Sequence, residues 1–323
     1  MSETKASLVR KIRSAGDLHS VVRTMKAISA SQVTQFENSV RALGDYHSSV
    51  ELALSAYFQE LRNNSAGAAL YPERSRTGTD TGTAIAVVFG SDQGLVGQFN
   101  KVVADYTAKR LGTFTGQLQI WAVGERVHEN LSENDLQVTG LFSIPTSVQA
   151  IVPLVGQLQI RTGLQQADHE GTSLFIFHNR PQAGGGYEPV SRRLLPLDVQ
   201  WKQYFADVCW PGLTLPQVIP ADTEMLRALI GEHLFISIFR ACAESLASEN
   251  ASRLAAMTRA ERNIEERSES LVGLFHRLRQ NSIDEELFDV VSGYDAIAGE
   301  TATHRPRPAC QSAPSAAASS AVE

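Results

Sequence analysis

The sequence predicts an α/β fold class: a central Rossmann-like α/β domain combined with a long antiparallel coiled coil of the N- and C-terminal helices. Three observations predict it. Proline is absent before Pro72 and again between Pro220 and Pro306, so both ends of the chain lack the residue that most often breaks a helix. Both ends carry apolar residues at alternating three- and four-residue spacing. Between them, short apolar runs alternate with helix-like stretches, the pattern of a mostly parallel sheet with helices packed on it.

Residues 1–62 are expected to form the first long helix. There Val33, Phe36, Val40, Leu43, Val50, Leu54, Tyr57 and Leu61 make a heptad seam, with His47 in its one polar slot. Upstream, Leu8, Ile12, Ala15, Leu18, Val22, Met25 and Ile28 continue it as a broader stripe. Residues 221–298 are expected to form the second helix. Leu229, Ile236, Phe239, Ala243, Leu246, Met257, Ala260, Ile264, Leu271, Leu274 and Leu278 keep the register, interrupted by Glu232, Asn250, Arg253 and Arg267. Polar residues at seam positions weaken a coiled coil but fix its register. One such stripe alone would fit a helix buried in a bundle. Two of them flanking an α/β region most simply pair with each other, and a helix of ~50 residues would be roughly 75 Å long.

Residues 83–204 are expected to form the α/β base. Strand "AIAVVFG" precedes helix "FNKVVADYTAKRL"; strand "QLQIWAVG" precedes helix "ERVHENL"; a strand near "QVTGLF" precedes helix "SVQAIVPLVGQLQIRTGL"; strands "SLFIFHNR" and "EPVSRRLLPL" close the series. Residues 62–82 and 205–220 read as linkers. Residues 299–323 are rich in Ala, Ser and Pro and read as a disordered tail.

Composition narrows the function. The chain has 323 residues, 43% of them hydrophobic, and a formal net charge of −6, which argues against a general nucleic-acid binder. Cys209, Cys242 and Cys310 are far apart with no C-x-x-C, as expected of free thiols in a reducing compartment. No stretch approaches the ~20 apolar residues of a membrane span.

The turn "GSDQGLVGQFN", following the first strand, invites comparison with phosphate-binding loops. A P-loop needs G-x-x-x-x-G-K-[ST], but Gln98 follows Gly97 and the loop carries Asp92 where an anion would sit. Gly90, Gly94 and Gly97 do not have the G-x-G-x-x-G spacing, and Ser91 follows Gly90 too closely for a nucleophile elbow. A structural turn is the expectation, with Asp92 or Ser91 capping the helix that opens near Gly97. The eight histidines are scattered and no H-E-x-x-H occurs, so neither a metal nor a cofactor is expected. The acidic clusters Glu261, Glu265, Glu266 and Asp284, Glu285, Glu286 lie among arginines on expected helix faces.

Several segments together resemble the γ subunits of rotary F-type ATP synthases. "IRSAGDLHSVVRTMKAISAS" is similar to that family's first-helix signature at Met25, Lys26, Ala30 and Ser31, with Arg23 where the family has lysine. "GSDQGLVGQFN" resembles its "SDRGLCGGLN", and "SENASRLAAMTRAERNIEE" and "RQNSIDEELFDVVSGYDAI" resemble its last helix. With "EPVSRRLLPL", the likeness spans residues 8–298. It implies a non-catalytic central-stalk rotor, peripheral to the cytoplasmic face of a bacterial inner membrane. Its partners would be the ATP synthase α and β subunits around the shaft, and the ε subunit and membrane c-ring at the base, which in the family binds no nucleotide. Met25, Lys26, Arg253, Arg279, Gln280 and Asp284 are the residues on which it places partner contacts. The chain departs from the family at "QVTQFEN", which replaces a Lys/Arg-rich stretch, at Gln93 for arginine and at Asp284 for threonine. No plant-type dithiol insert is visible. Read from its residues alone, the chain also fits an independent α/β enzyme with a helical dimerisation hairpin.

Overall fold

The computed structural model describes residues 4–63, 82–162, 172–182, 186–195, 204–205, 208, 210, 212, 218–219 and 222–302. The expected linkers fall largely outside these residues, and the expected tail does so from residue 303 onward. The elements in chain order are α1 (Lys5–Asn63), β1 (Thr83–Phe89), α2 (Phe99–Leu111), β2 (Gln117–Val123), α3 (Glu125–Glu133), β3 (Val138–Phe142), α4 (Ile151–Arg161), β4 (Thr172–Pro181), β5 (Tyr187–Leu195) and α5 (Thr223–Ala302).

The five strands form one sheet in the order β3-β2-β1-β4-β5. β1, β2, β3 and β4 are parallel and β5 runs antiparallel beside β4. β1 lies at the centre and is buried on both faces, which is why its sequence is a continuous apolar run rather than an alternating one. Ile85, Val87 and Phe89 point to one face, where they join Ile151, Val155 and Leu158 of α4, Ile238, Cys242 and Leu246 of α5, and Phe36 of α1. Ala86 and Val88 point to the other, against Val103 and Ala104 of α2 and Val127 and Leu131 of α3.

The chain divides into two compact units, His19–Asn263 and Met1–Leu18 with Ile264–Glu323. In the first unit α1 and α5 run antiparallel. Lys26 bonds Glu261, Tyr46 bonds Glu232, and the Tyr57 hydroxyl donates to the Asp222 carbonyl, so residue numbers fall along α5 as they rise along α1. Val50, Leu54, Tyr57 and Phe58 of α1 pack with Leu226 and Ile236 of α5 and with Phe205. Every position of α5 from 241 to 250 is buried, because there the helix packs on the sheet as well as on α1.

The seam of α1 differs from the expected stripe at its N-terminal half. Leu18 and Ile28 are 57% and 54% exposed. The inward positions at those turns are His19 and the buried Ser29. With these, the spacing 19, 22, 26, 29, 33, 36, 40, 43, 47, 50, 54, 57 alternates threes and fours without interruption. The apolar neighbours draw the expectation one residue aside, about 100° around the helix. In α5, Glu232 is likewise exposed and His233 takes the inward place.

In the second unit Leu8 is fully buried. Along α5, Ile264, Leu271, Leu274 and Leu278 are half-buried, while from 279 to 295 every residue but Ser282 is exposed.

Candidate functional site: the sheet edge and the faces of the long helices

The carboxyl ends of parallel strands are where α/β enzymes bind substrates. Here that edge is occupied by the chain itself. Asp92 accepts the backbone N–H of Glu125 at 3.0 Å through Oδ1 and that of Ile144 at 2.9 Å through Oδ2. Its carboxylate thus fills the place at the N-terminus of α3 where a bound anion would be favoured. Asp92 therefore caps α3, not α2 as expected; α2 begins at Phe99, and its N-cap Gln98 makes no side-chain cap bond. Ser91 instead locks to the first turn of α2: its N–H donates to Asn100 Oδ1 at 2.9 Å and its Oγ accepts from Asn100 Nδ2 at 2.8 Å.

Close packing makes two glycines of this edge irreplaceable. A Cβ on Gly90 would lie 2.3 Å from the Val127 Cβ, and one on Gly124, at φ 117°, would lie 2.8 Å from the Ser91 backbone. Gly94 faces open space. Gly124→Ala is expected to destabilise the chain by about 1–3 kcal/mol, the usual range for overpacking, and Gly94→Ala to leave the unfolding midpoint unchanged. Equal midpoints for the two variants would refute this packing. Gly97, at φ 63° with open space, carries only the backbone strain.

Arg253, expected at a partner contact, is 8% exposed and is used inside the chain. Its Nη2 donates to Glu249 Oε1 at 2.6 Å and its Nη1 to Asn250 Oδ1 at 3.3 Å. Burial raises the Glu249 carboxyl, the nearby arginine opposes this, and Asp92 adds to the rise. Lys26 bonds Glu261 at 2.7 Å and so crosses the α1–α5 seam, with Met25 half-buried beside it. The Lys26 hydrogen bond lowers the Glu261 pKa. Arg279, Gln280 and Asp284 are exposed and form no hydrogen bond or ion pair among the described residues.

Beyond them lies an exposed apolar surface that begins at Ile283 and Leu287, 46% and 57% exposed. Phe288, Val290, Val291 and Tyr294 are 71%, 71%, 50% and 72% exposed. Large apolar side chains clustered on one exposed helix end mark an interaction surface. The signal is present as "LFDVVSGY", but an apolar run on a helix reads equally well as core.

Burial also sets the acid response. His178 Nε2 lies 2.9 Å from Glu244 Oε2. Burial holds His178 below the ordinary imidazole range, against the pull of Glu244. Burial alone would raise Glu244, but His178 and Arg240 hold it at about 2. Burial, with His47 and Arg192 acting the same way, lowers His233 to about 4. As pH falls below about 6.5 the unfolded chain protonates His178 and His233 before the native one, and below about 4.3 it protonates Glu244 first. The contribution of these three groups to stability is thus greatest near neutrality and declines through pH 6.5 to 4, with a further loss toward 2. Tm measured across that range is expected to fall, and a flat Tm from pH 6.5 to 4 would contradict these assignments.

The fold is an α/β domain set in the chain between two long helices that pack antiparallel, with an apolar cluster exposed toward the end of α5. The family model described as ATP synthase matches residues 4–297. The chain belongs to this ATP synthase family. It is 26% identical over 302 residues to the ATP synthase gamma chain of Geotalea daltonii, an alignment covering 91% of this chain and 98% of that protein. It is 22% identical over 295 residues to that of Bdellovibrio bacteriovorus, covering 90% and 97%. The fold is similar to a chain of the central stalk and c-ring of the Tetrahymena thermophila mitochondrial ATP synthase, with TM-score 0.52, 18% identity, and coverage of 74% of this chain and 99% of that one.

Proposed function

We propose that the chain is the central-stalk rotor subunit of an F-type ATP synthase, coupling ion flow through the membrane ring to ATP synthesis or hydrolysis on partner α and β subunits. The observation that carries this reading is α5. Over 241–250 it is buried all round, and over 279–295 it exposes both a polar pair and an apolar cluster. A helix so built is held firmly in its own domain and offers its end to other chains. The mechanism is differential contact: an asymmetric helix stabilises a different conformation of each partner according to the face it presents. The chain itself carries no catalytic role in this reading. Met25, Lys26, Arg279, Gln280 and Asp284 supply contacts to α and β, while the α/β domain meets ε and the c-ring.

No helix of the described residues is long and apolar enough to cross a membrane. The proposed place is therefore peripheral, at the cytoplasmic face of a bacterial inner membrane, with attachment through the ring. Co-expression with the α and β subunits tests the reading: a stable complex whose ATPase activity requires this chain is expected. Full activity of α and β without it, or failure to co-purify, would overturn the proposal and favour an independent α/β protein.

A further inference from the structure

Three side chains of α5, spaced four residues apart, bond to the α/β domain. Glu244 Oε2 pairs with His178 Nε2 at 2.9 Å, Ser248 Oγ donates to the Asn179 carbonyl at 2.9 Å, and Ser252 Oγ donates to the Val96 carbonyl at 2.6 Å. The partners come from the end of β4 and from the turn after β1. Two of these groups are held in turn. Asn179 Nδ2 donates to the Phe99 carbonyl at 2.9 Å, and Arg240 Nε holds the other Glu244 oxygen at 2.7 Å. His178, Asn179, Glu244 and Ser248 are buried.

The same stretch of α5 is lined by Ala241, Cys242, Ala243 and Ala247, all buried. Leu246 of the same stretch packs there too, and apolar burial as such is non-directional. Hydrogen bonds are directional and weaken steeply as they misalign. A four-residue step turns a helix by about 40° and advances it about 6 Å, so the three bonds span roughly 80° and 12 Å. Bonds spread in this way oppose both turning and sliding, whereas one bond alone would act as a pivot.

We propose that Glu244, Ser248 and Ser252 form a rotational key that locks α5 against the α/β domain and carries twisting load between them. The proposal rests on the rotor reading above and makes these three positioning residues for it. A rotor turning without load needs only that α5 stay bound to its domain, and packing secures that. A rotor driving ions against a gradient must also resist slip at this junction.

The test uses the complete ion-translocating complex in lipid vesicles. The variant Ser248→Ala with Ser252→Ala removes two hydroxyls and almost no volume. Ser245→Ala is the control, since the Ser245 hydroxyl is buried in the same stretch and hydrogen-bonds to nothing among the described residues. Expected for the double variant are assembly, ATP hydrolysis at the parental rate when the membrane is made leaky, and loss of ATP-driven ion pumping in sealed vesicles. Ser245→Ala should pump like the parent. Parental pumping by the double variant, or an equal loss in Ser245→Ala, would overturn the key. If the double variant does not assemble, Ser252→Ala alone replaces it: lost pumping supports the key and parental pumping overturns it. A parental complex that neither hydrolyses nor pumps in dependence on this chain would instead overturn the rotor reading itself.

Discussion

Replacing Arg279 and Gln280 together by alanine is expected to leave the chain folded and able to assemble, but to reduce ATP turnover of the complex by roughly tenfold to a hundredfold. Both side chains are exposed and bond to nothing among the described residues, so their removal takes no contact from the fold. Exposed substitutions away from packed features usually change stability by less than about 0.5 kcal/mol. An arginine fork grips a carboxylate or a row of carbonyls, and glutamine adds a donor and an acceptor beside it. Hydrogen bonds to a charged group are worth about 1.5–3 kcal/mol. If they form only in the state that commits to turnover, they translate into the stated factor, since about 1.4 kcal/mol is tenfold in rate. Asp284 stands one turn on and is also exposed. Asp284→Thr removes a charge from the same contact, so its effect should depend on salt where that of Gln280→Ala does not. The checks are circular dichroism of the isolated chain and steady-state ATPase of the assembled complex. Parental turnover in an assembled double variant would remove this site from coupling.

Leu54→Ala is expected to destabilise the isolated chain by about 2–5 kcal/mol, the range for a fully buried leucine. Leu54 is 0% exposed and packs in the cluster of Tyr57, Phe205, Leu226 and Ile236. Leu18→Ala is expected to change stability by less than about 0.5 kcal/mol, because Leu18 is 57% exposed although the same residue type recurs at heptad-like spacing. Urea unfolding of the two variants separates the observed seam from the broader apolar stripe. Similar losses at Leu18 and Leu54 would mean that the inward face of α1 has been misplaced.

Much of this architecture is legible in the chain. The runs "AIAVVFG", "QLQIWAVG" and "SLFIFHNR" contain most of β1, all of β2 and most of β4, and "FNKVVADYTAKRL" is α2 in full. These elements announce themselves because strand and helix formation follow local spacing and composition. The seam from Val33 to Tyr57 is legible for the same reason. Before Val33 the apolar stripe misleads, because Leu18 and Ile28 are more apolar than the His19 and Ser29 that face inward. A small serine lets two helices approach, an advantage that exists only once the second helix is in place.

The candidate site divides along the same line. Arg279, Gln280 and Asp284 remain exposed, as their spacing after Leu278 implies. Arg253 occupies a seam position and the family resemblance places a partner contact there, yet Glu249, one helical turn away, pairs with it inside the chain. Asp92 caps not the next helix in sequence but the one after, because the parallel sheet sets β1 beside β2 and brings the N-terminus of α3 to the same edge. Which segments are helix and which are strand, and the three–four period that pairs the two ends, follow from neighbours within a few residues, so the chain spells them out unaided. Which of two adjacent side chains turns inward, which charges are satisfied within the chain, and how α5 is keyed to the sheet are settled in the assembled fold. Those outcomes depend on hydrogen-bond partners and packing surfaces far apart in sequence, whose meeting no local spacing encodes.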